Sequence, residues 1–163
     1  MSDTPTRRIT ETRSEFQQSL RNAFDRIAEE GCRELTIVDP DFEGWPLGDQ
    51  AVLDDLTRWA KSHRKLTMVA RNYEAIVRKH SRFVDWRRNF AHVISCREPD
   101  EADAADMPSI LLAPGVLVLR RIEVTQWRAS VSTDPADAIV WRDSLETLLQ
   151  RSSEAFPATT LGL

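Results

Sequence analysis

The sequence predicts a single α/β domain with a mixed β-sheet flanked by helices. Three observations carry that expectation. Short apolar, β-branched runs alternate with stretches of helical period up to about residue 96, which implies parallel strands joined by crossover helices. Two further apolar runs then meet at a Pro-Gly pair, the mark of an antiparallel hairpin that makes the sheet mixed. A chain of 163 residues closes one core without staples and is short for two domains.

The elements follow in order. Residues 1–10 are polar, lack the apolar core of a secretory signal, and are expected to form a flexible tail before a domain over 11–163. Thr12 and Glu15 make a capping-box pattern ahead of Phe16, Leu20, Phe24 and Ile27, which share one helical face; Gly31 suits a left-handed stop. "ELTIV" (34–38) reads as a buried strand, and "DPDFEGWPLGD" as a loop rich in Pro, Gly and Asp. Val52, Leu53, Leu56, Trp59 and Ala60 outline the next helix, and "LTMVA" (66–70) the next strand. Helical period returns from Tyr73 to about Ala91 with a break near Ser81, and "HVISC" (92–96) reads as a third strand. After the acidic loop "EPDEADAAD", the runs "SILLA" and "VLVLRR" flank Pro114-Gly115, and "EVTQWRASVS" is another strand candidate. Asp134 and Pro135 then open a helix whose apolar face is Ala138, Trp141, Leu145, Leu148 and Leu149. The end, "FPATTLGL", reads as irregular.

This order is similar to half of a phospholipase-D-like domain, and more closely to short bacterial proteins with that half-domain fold. The counterparts are "IVDPDFEGW", "VLDDLTRWAKSHRKLTMVA", "VRKHSRFVDWRRNFAHVIS", the hairpin and "DPADAIVWRDSLETLLQRS", over roughly residues 12–155. Because such halves pair to make complete units, the resemblance implies a homodimer. The enzymes of that group carry H-x-K-x4-D, in which His attacks phosphorus, Lys holds phosphoryl oxygens and Asp supports the imidazole. None of the three histidines satisfies it: His63 is followed by Lys65 but has Ala70 at the Asp position, His80 has Arg82 and Arg87, and His92 has Ile94. The resemblance therefore implies the fold without the nucleophile.

Other chemistry was weighed on the same residues. "LTIVDPDFEG" places Asp39 and Asp41 at the carboxyl end of a strand, as in haloacid-dehalogenase-like phosphatases that use Mg²⁺ with two carboxylates. Glu43 stands where those enzymes keep Thr or Ser, so Asp39 and Asp41 read equally as strand-ending turn residues, with Asp39, Asp41 and Glu43 as candidate metal ligands. No Gly-rich phosphate loop, zinc spacing or G-x-S-x-G elbow is present, and no cofactor is expected. His92 and Cys96 would lie about 13 Å apart in a strand, too far for a catalytic pair.

The segment 78–88 holds five cations against one acid. Its spacing turns Phe83, Trp86 and Phe90 toward the core and leaves Arg78, Lys79, Arg82 and Arg88 as anion-binding candidates. The acidic loop 98–106 is the expected internal mimic or partner of that patch. Net charge is −4, which argues against a protein whose whole surface is a nucleic-acid platform. No apolar run is long enough to span a membrane, and two isolated cysteines suit a reducing cytoplasm. The expected function is thus a non-catalytic cytoplasmic protein acting by binding or assembly, with an anion, phosphate or nucleic acid as ligand. The alternative is an Mg²⁺-dependent phosphoryl-transfer enzyme using Asp39 and Asp41.

Overall fold

The computed structural model describes residues 4–61 and 63–157. Residues 1–3 of the expected tail and residues 158–163 of the expected irregular end lie outside them.

Three parallel strands, β2 (Glu34–Val38), β3 (Lys65–Val69) and β4 (Ile94–Glu98), form one half of an eight-stranded sheet. The hairpin β5 (Ile110–Ala113) and β6 (Leu117–Arg121) adds on the free side of β2, followed by β7 (Ala129–Ser132) and β1 (Arg7–Thr10), all antiparallel to their neighbours. The short β8 (Ser153–Glu154) closes the other edge against β4, giving the order β1-β7-β6-β5-β2-β3-β4-β8.

Strand alternation sends side chains to two separate cores. On one face, Leu35, Ile37, Leu66, Met68, Leu111 and Leu119 meet helices α1 (Arg13–Glu30), α2 (Gln50–Trp59), α3 (Glu74–Lys79) and α4 (Ser81–Asn89) through Phe16, Phe24, Trp59 and Phe83. On the other face, Val38, Val69, Ile110 and Val118 meet Ala138, Leu145 and Leu148 of α6 (Pro135–Gln150). The capping box at the start of α1 forms as read: the Glu15 N–H donates to Thr12 Oγ1 at 3.1 Å, and the Thr12 N–H to Glu15 Oε1 at 3.0 Å. Gly31 ends α1 at φ +77°, with ψ 146°, outside the left-handed helical well.

The structure corrects several expectations. Residues 7–10 are not tail but an edge strand, with Thr10 buried and the Thr6 N–H donating to Thr133 Oγ1 at 2.7 Å. An edge strand needs only backbone pairing and tolerates charged side chains, so no apolar run announces it. The helix over 73–91 is two helices, broken at His80 rather than Ser81, where φ −124° and ψ 53° leave the helical range. The third strand starts two residues later than read, and only Ala129–Ser132 of "EVTQWRASVS" is strand. Part of the acidic loop coils as α5 (Glu101–Ala104), capped by Asp100. No helix among the described residues is long and apolar enough to cross a membrane.

The edge strand gives a direct test. Deleting residues 1–10 is expected to lower the urea midpoint through a stability loss of roughly 1–4 kcal/mol, for four cross-strand pairs at about 0.2–1 kcal/mol each. An unchanged midpoint would mean that these residues are a tail after all.

Candidate functional site

Since β5 runs against both β2 and β6, the carboxyl ends of β2, β3 and β6 reach the same edge of the sheet. Each apolar strand stops there at a polar residue: Asp39 after β2, Arg71 after β3, and Arg120 and Arg121 at the end of β6.

Asp39 is the buried hub of that edge, 1% exposed. Its Oδ2 accepts from the N–H groups of Asp41 at 3.1 Å and Phe42 at 2.8 Å, folding the loop into a tight turn with Phe42 at φ +58°. Its Oδ1 accepts from Trp45 Nε1 at 3.2 Å and from Arg121 Nη2 at 3.3 Å. The same loop joins the next strand, because the Arg71 N–H donates to the Pro40 carbonyl at 2.9 Å. Arg121 is held in turn: it lies 4.6 Å from the centre of the Trp127 ring and donates to the Gln126 carbonyl at 3.4 Å. Trp127 packs so closely on Gly44 that a Cβ there would meet the ring at 2.3 Å, which explains the glycine.

Beside this hub opens a cleft of about 530 Å³, with Arg71, Arg120, Arg121, Trp141, Asp106 and Glu123 in its walls. Arg120 stacks 4.7 Å from the centre of the Trp141 ring. Arg71 is exposed and its guanidinium has no partner among the described residues. A guanidinium offers a fork of donors matched to phosphate or carboxylate, and of the three arginines in these walls Arg121 already gives Nη2 to Asp39. The carboxyl edge of an open α/β sheet is where such folds bind ligands.

The residues singled out in the sequence fare differently. Asp39, Asp41 and Glu43 are not brought together as a metal site. Asp39 is filled by four donors, Asp41 Oδ1 accepts the Glu43 N–H at 2.9 Å, and Glu43 turns to an ion pair with Lys79. Hydrogen bonding and charge from Lys79 hold the Glu43 carboxyl below the usual range. Among the described residues no three His, Cys, Asp or Glu side chains form a metal-binding group. Of the basic candidates, Lys79 is thus paired and Arg88 lies 3.5 Å from Asp85, while Arg78 and Arg82 are exposed and unpaired among the described residues. The acidic loop does not answer them: Asp100 and Asp103 pair with Arg151 at 3.3 and 3.4 Å.

Phe83 and Trp86 are core, as their spacing predicts, while Phe90 is half-buried against Trp86. Trp45 is sealed over the core rather than offered to a ligand. His80 is buried and its Nε2 donates to the Phe42 carbonyl at 3.0 Å; His63 and His92 precede β3 and β4 at the opposite edge of the sheet. No histidine lines the cleft. Arg71, Arg120 and Arg121 were missed, although "LTMVAR" and "VLVLRR" carry the signal that drew attention to Asp39, a charge ending an apolar strand.

The fold is that of a phospholipase-D-like domain. Nuc from Salmonella typhimurium, a phospholipase D family member, superposes with a TM-score of 0.64 at 11% identity, over 93% of this chain and 99% of that one. NucT from Helicobacter pylori gives 0.59 at 9% identity, over 93% of this chain and 100% of that one. TrmBL2, an archaeal chromatin protein with a novel mode of DNA binding, gives 0.64 at 12% identity over 92% of this chain, which spans only 55% of that protein. No curated protein sequence matches. The chain belongs to the DUF7931 family, a domain of unknown function whose model matches residues 16–156.

The hub is tested by a double-mutant cycle. Asp39→Ala leaves Arg121 buried without its carboxylate and is expected to cost roughly 3–5 kcal/mol in urea unfolding. Asp39→Ala with Arg121→Met is expected to lose less than the two single losses combined. Strict additivity would show that the pair is not coupled.

Proposed function

We propose that this protein is a non-catalytic member of the phospholipase-D-like fold that binds a phosphate-bearing anion between Arg71 and Arg120, in a cleft whose wall is anchored by the Asp39–Arg121 pair. One observation carries the reading: Arg71, Arg120 and Arg121 line a single cleft at the carboxyl edge of the sheet, and the Arg71 guanidinium there has no partner among the described residues. The non-catalytic part is supported by the missing H-x-K-x4-D spacing and by the absence of histidine from the cleft walls. Asp106 and Glu123 on those walls favour a discrete phosphate group over a long polyanion lying along the cleft. A second reading, nucleic-acid contact, is favoured by Arg78 and Arg82, which are exposed and unpaired among the described residues. A homodimer remains the expectation from the half-domain resemblance. A cytoplasmic site is supported by two free cysteines, Cys32 and Cys96.

Calorimetric titration with a small phosphate ester and with a short oligonucleotide separates these readings. Arg71→Ala combined with Arg120→Ala is expected to weaken ester binding at least tenfold, since each charge-assisted contact contributes about 1.5–3 kcal/mol. Reversing Arg78, Lys79, Arg82 and Arg88 is expected to leave the ester unaffected. It should weaken the oligonucleotide, in a salt-dependent way, only if the second reading holds. Ester binding indifferent to the cleft substitutions would overturn the proposal.

A further inference from the structure

A second arginine lies apart from the cleft, in an environment that its charge does not match. Arg87, in the last turn of α4, is 7% exposed, although the spacing of its helix places it at the edge of the apolar face. Its guanidinium donates to two carbonyls, those of Ile94 at 3.4 Å and Phe156 at 3.3 Å, both at the long end of the hydrogen-bond range. Its Nε is buried with no partner, and no carboxylate among the described residues forms an ion pair with it. Its other neighbours, the Cys96 thiol and the Tyr73 hydroxyl, are neutral: burial pushes the Cys96 thiol up to about 11 and raises Tyr73 further still. A buried cation held by neutral dipoles alone lacks the counter-charge that ordinarily offsets its desolvation.

Arg87 also lines a hollow of about 490 Å³ at the edge of β4. β8 pairs with Arg97 and Glu98, and the Ala155 N–H continues along this edge to the Cys96 carbonyl at 3.0 Å; among the described residues no strand pairs with Ile94 and Ser95 on that side. Ala91, Ser95, Cys96 and Glu154 stand in its walls with Arg87. Cys96, on the α4 face of β4, supplies a thiol beside Arg87, while Ser95, the residue before it, turns to the opposite face. Glu154 is the one acid there, and it is exposed and makes no ion pair among the described residues.

We propose that the hollow between α4, β4 and β8 is a second site, in which Arg87 receives a small oxyanion, a carboxylate or phosphate group, as its missing counter-ion. The carbonyls of Ile94 and Phe156 hold the guanidinium flat in the wall, so a ligand meets an oriented fork and not a mobile side chain. The site is independent of the arginine cleft and of the function proposed for it.

The test is thermal unfolding of a protein in which the cleft is disabled by Arg71→Ala and Arg120→Ala, with inorganic phosphate or acetate compared with chloride at equal ionic strength. At an anion concentration about a hundred times its Kd, the melting temperature is expected to rise by about 5 °C or more over chloride. Adding Arg87→Gln should abolish this increment. Ala91→Glu, at an exposed position in the hollow wall, supplies a carboxylate from the chain itself. It should raise the melting temperature in chloride and remove the response to phosphate, and this holds the test open if Arg87→Gln does not fold. Glu154→Gln should leave the response intact or enlarge it by removing a like charge. The proposal is overturned if phosphate shifts the Ala91→Glu protein as much as its parent, which marks a general salt effect. It is equally overturned if Glu154→Gln lowers the melting temperature in chloride, which makes Glu154 the counter-ion already present.

Discussion

The carboxylate of Asp39 is the constraint on which the functional edge of this molecule depends. Buried, it needs donors on both oxygens, and it draws them from three places: the backbone of its own turn, the indole of Trp45 and the guanidinium of Arg121. Each bond fixes a different piece of structure. The backbone donors curl the loop after β2, the indole seats Trp45 in the core, and Arg121 ties the end of β6 to the end of β2. Arg120 follows from this, because alternation along β6 turns it to the opposite face of the sheet, where it stacks on Trp141 and lines the cleft. The ion pair thus shapes the cleft while spending its own charge inside the protein.

That arrangement explains how much could be read in advance. Elements defined by period were legible: the apolar faces of α1, α2 and α6, and the runs that became β2, β3 and the β5–β6 hairpin, all reflect burial on one side or both. The strand at Arg7–Thr10 was not, because edge pairing is made by backbone groups that every sequence possesses. The break expected near Ser81 falls at His80, whose buried ring bonds to the Phe42 carbonyl. Asp39 was correctly offered as a turn former, but its partner could not be found: Arg121 lies 82 positions away, and only the sheet order brings the two together. The arginine-rich segment drew attention because its charges are dense in sequence. The cleft assembles Arg71 with Arg120 and Arg121 from separate strands, so it leaves no local cluster to notice.

The likeness to Nuc and NucT concerns shape, at identities of 11% and 9%, and shape alone does not carry chemistry. Guanidiniums and an indole stand around the cleft, and the three histidines lie elsewhere. Guanidinium serves neither as nucleophile nor as general base, and its fork of donors matches the geometry of oxyanions. Stacking on Trp127 and Trp141 orients Arg121 and Arg120 before any ligand arrives, which lowers the entropic cost of binding.

The most direct measurement is an NMR titration that follows the arginine Nε–Hε resonances while a small phosphate ester is added. The expected result is a saturable shift of the Arg71 and Arg120 signals, a smaller one at Arg121, which Asp39 already holds, and none at Arg78, Arg82 or Arg88. Shifts confined to the α3–α4 arginines, or no saturable shift at Arg71 and Arg120, would contradict the account.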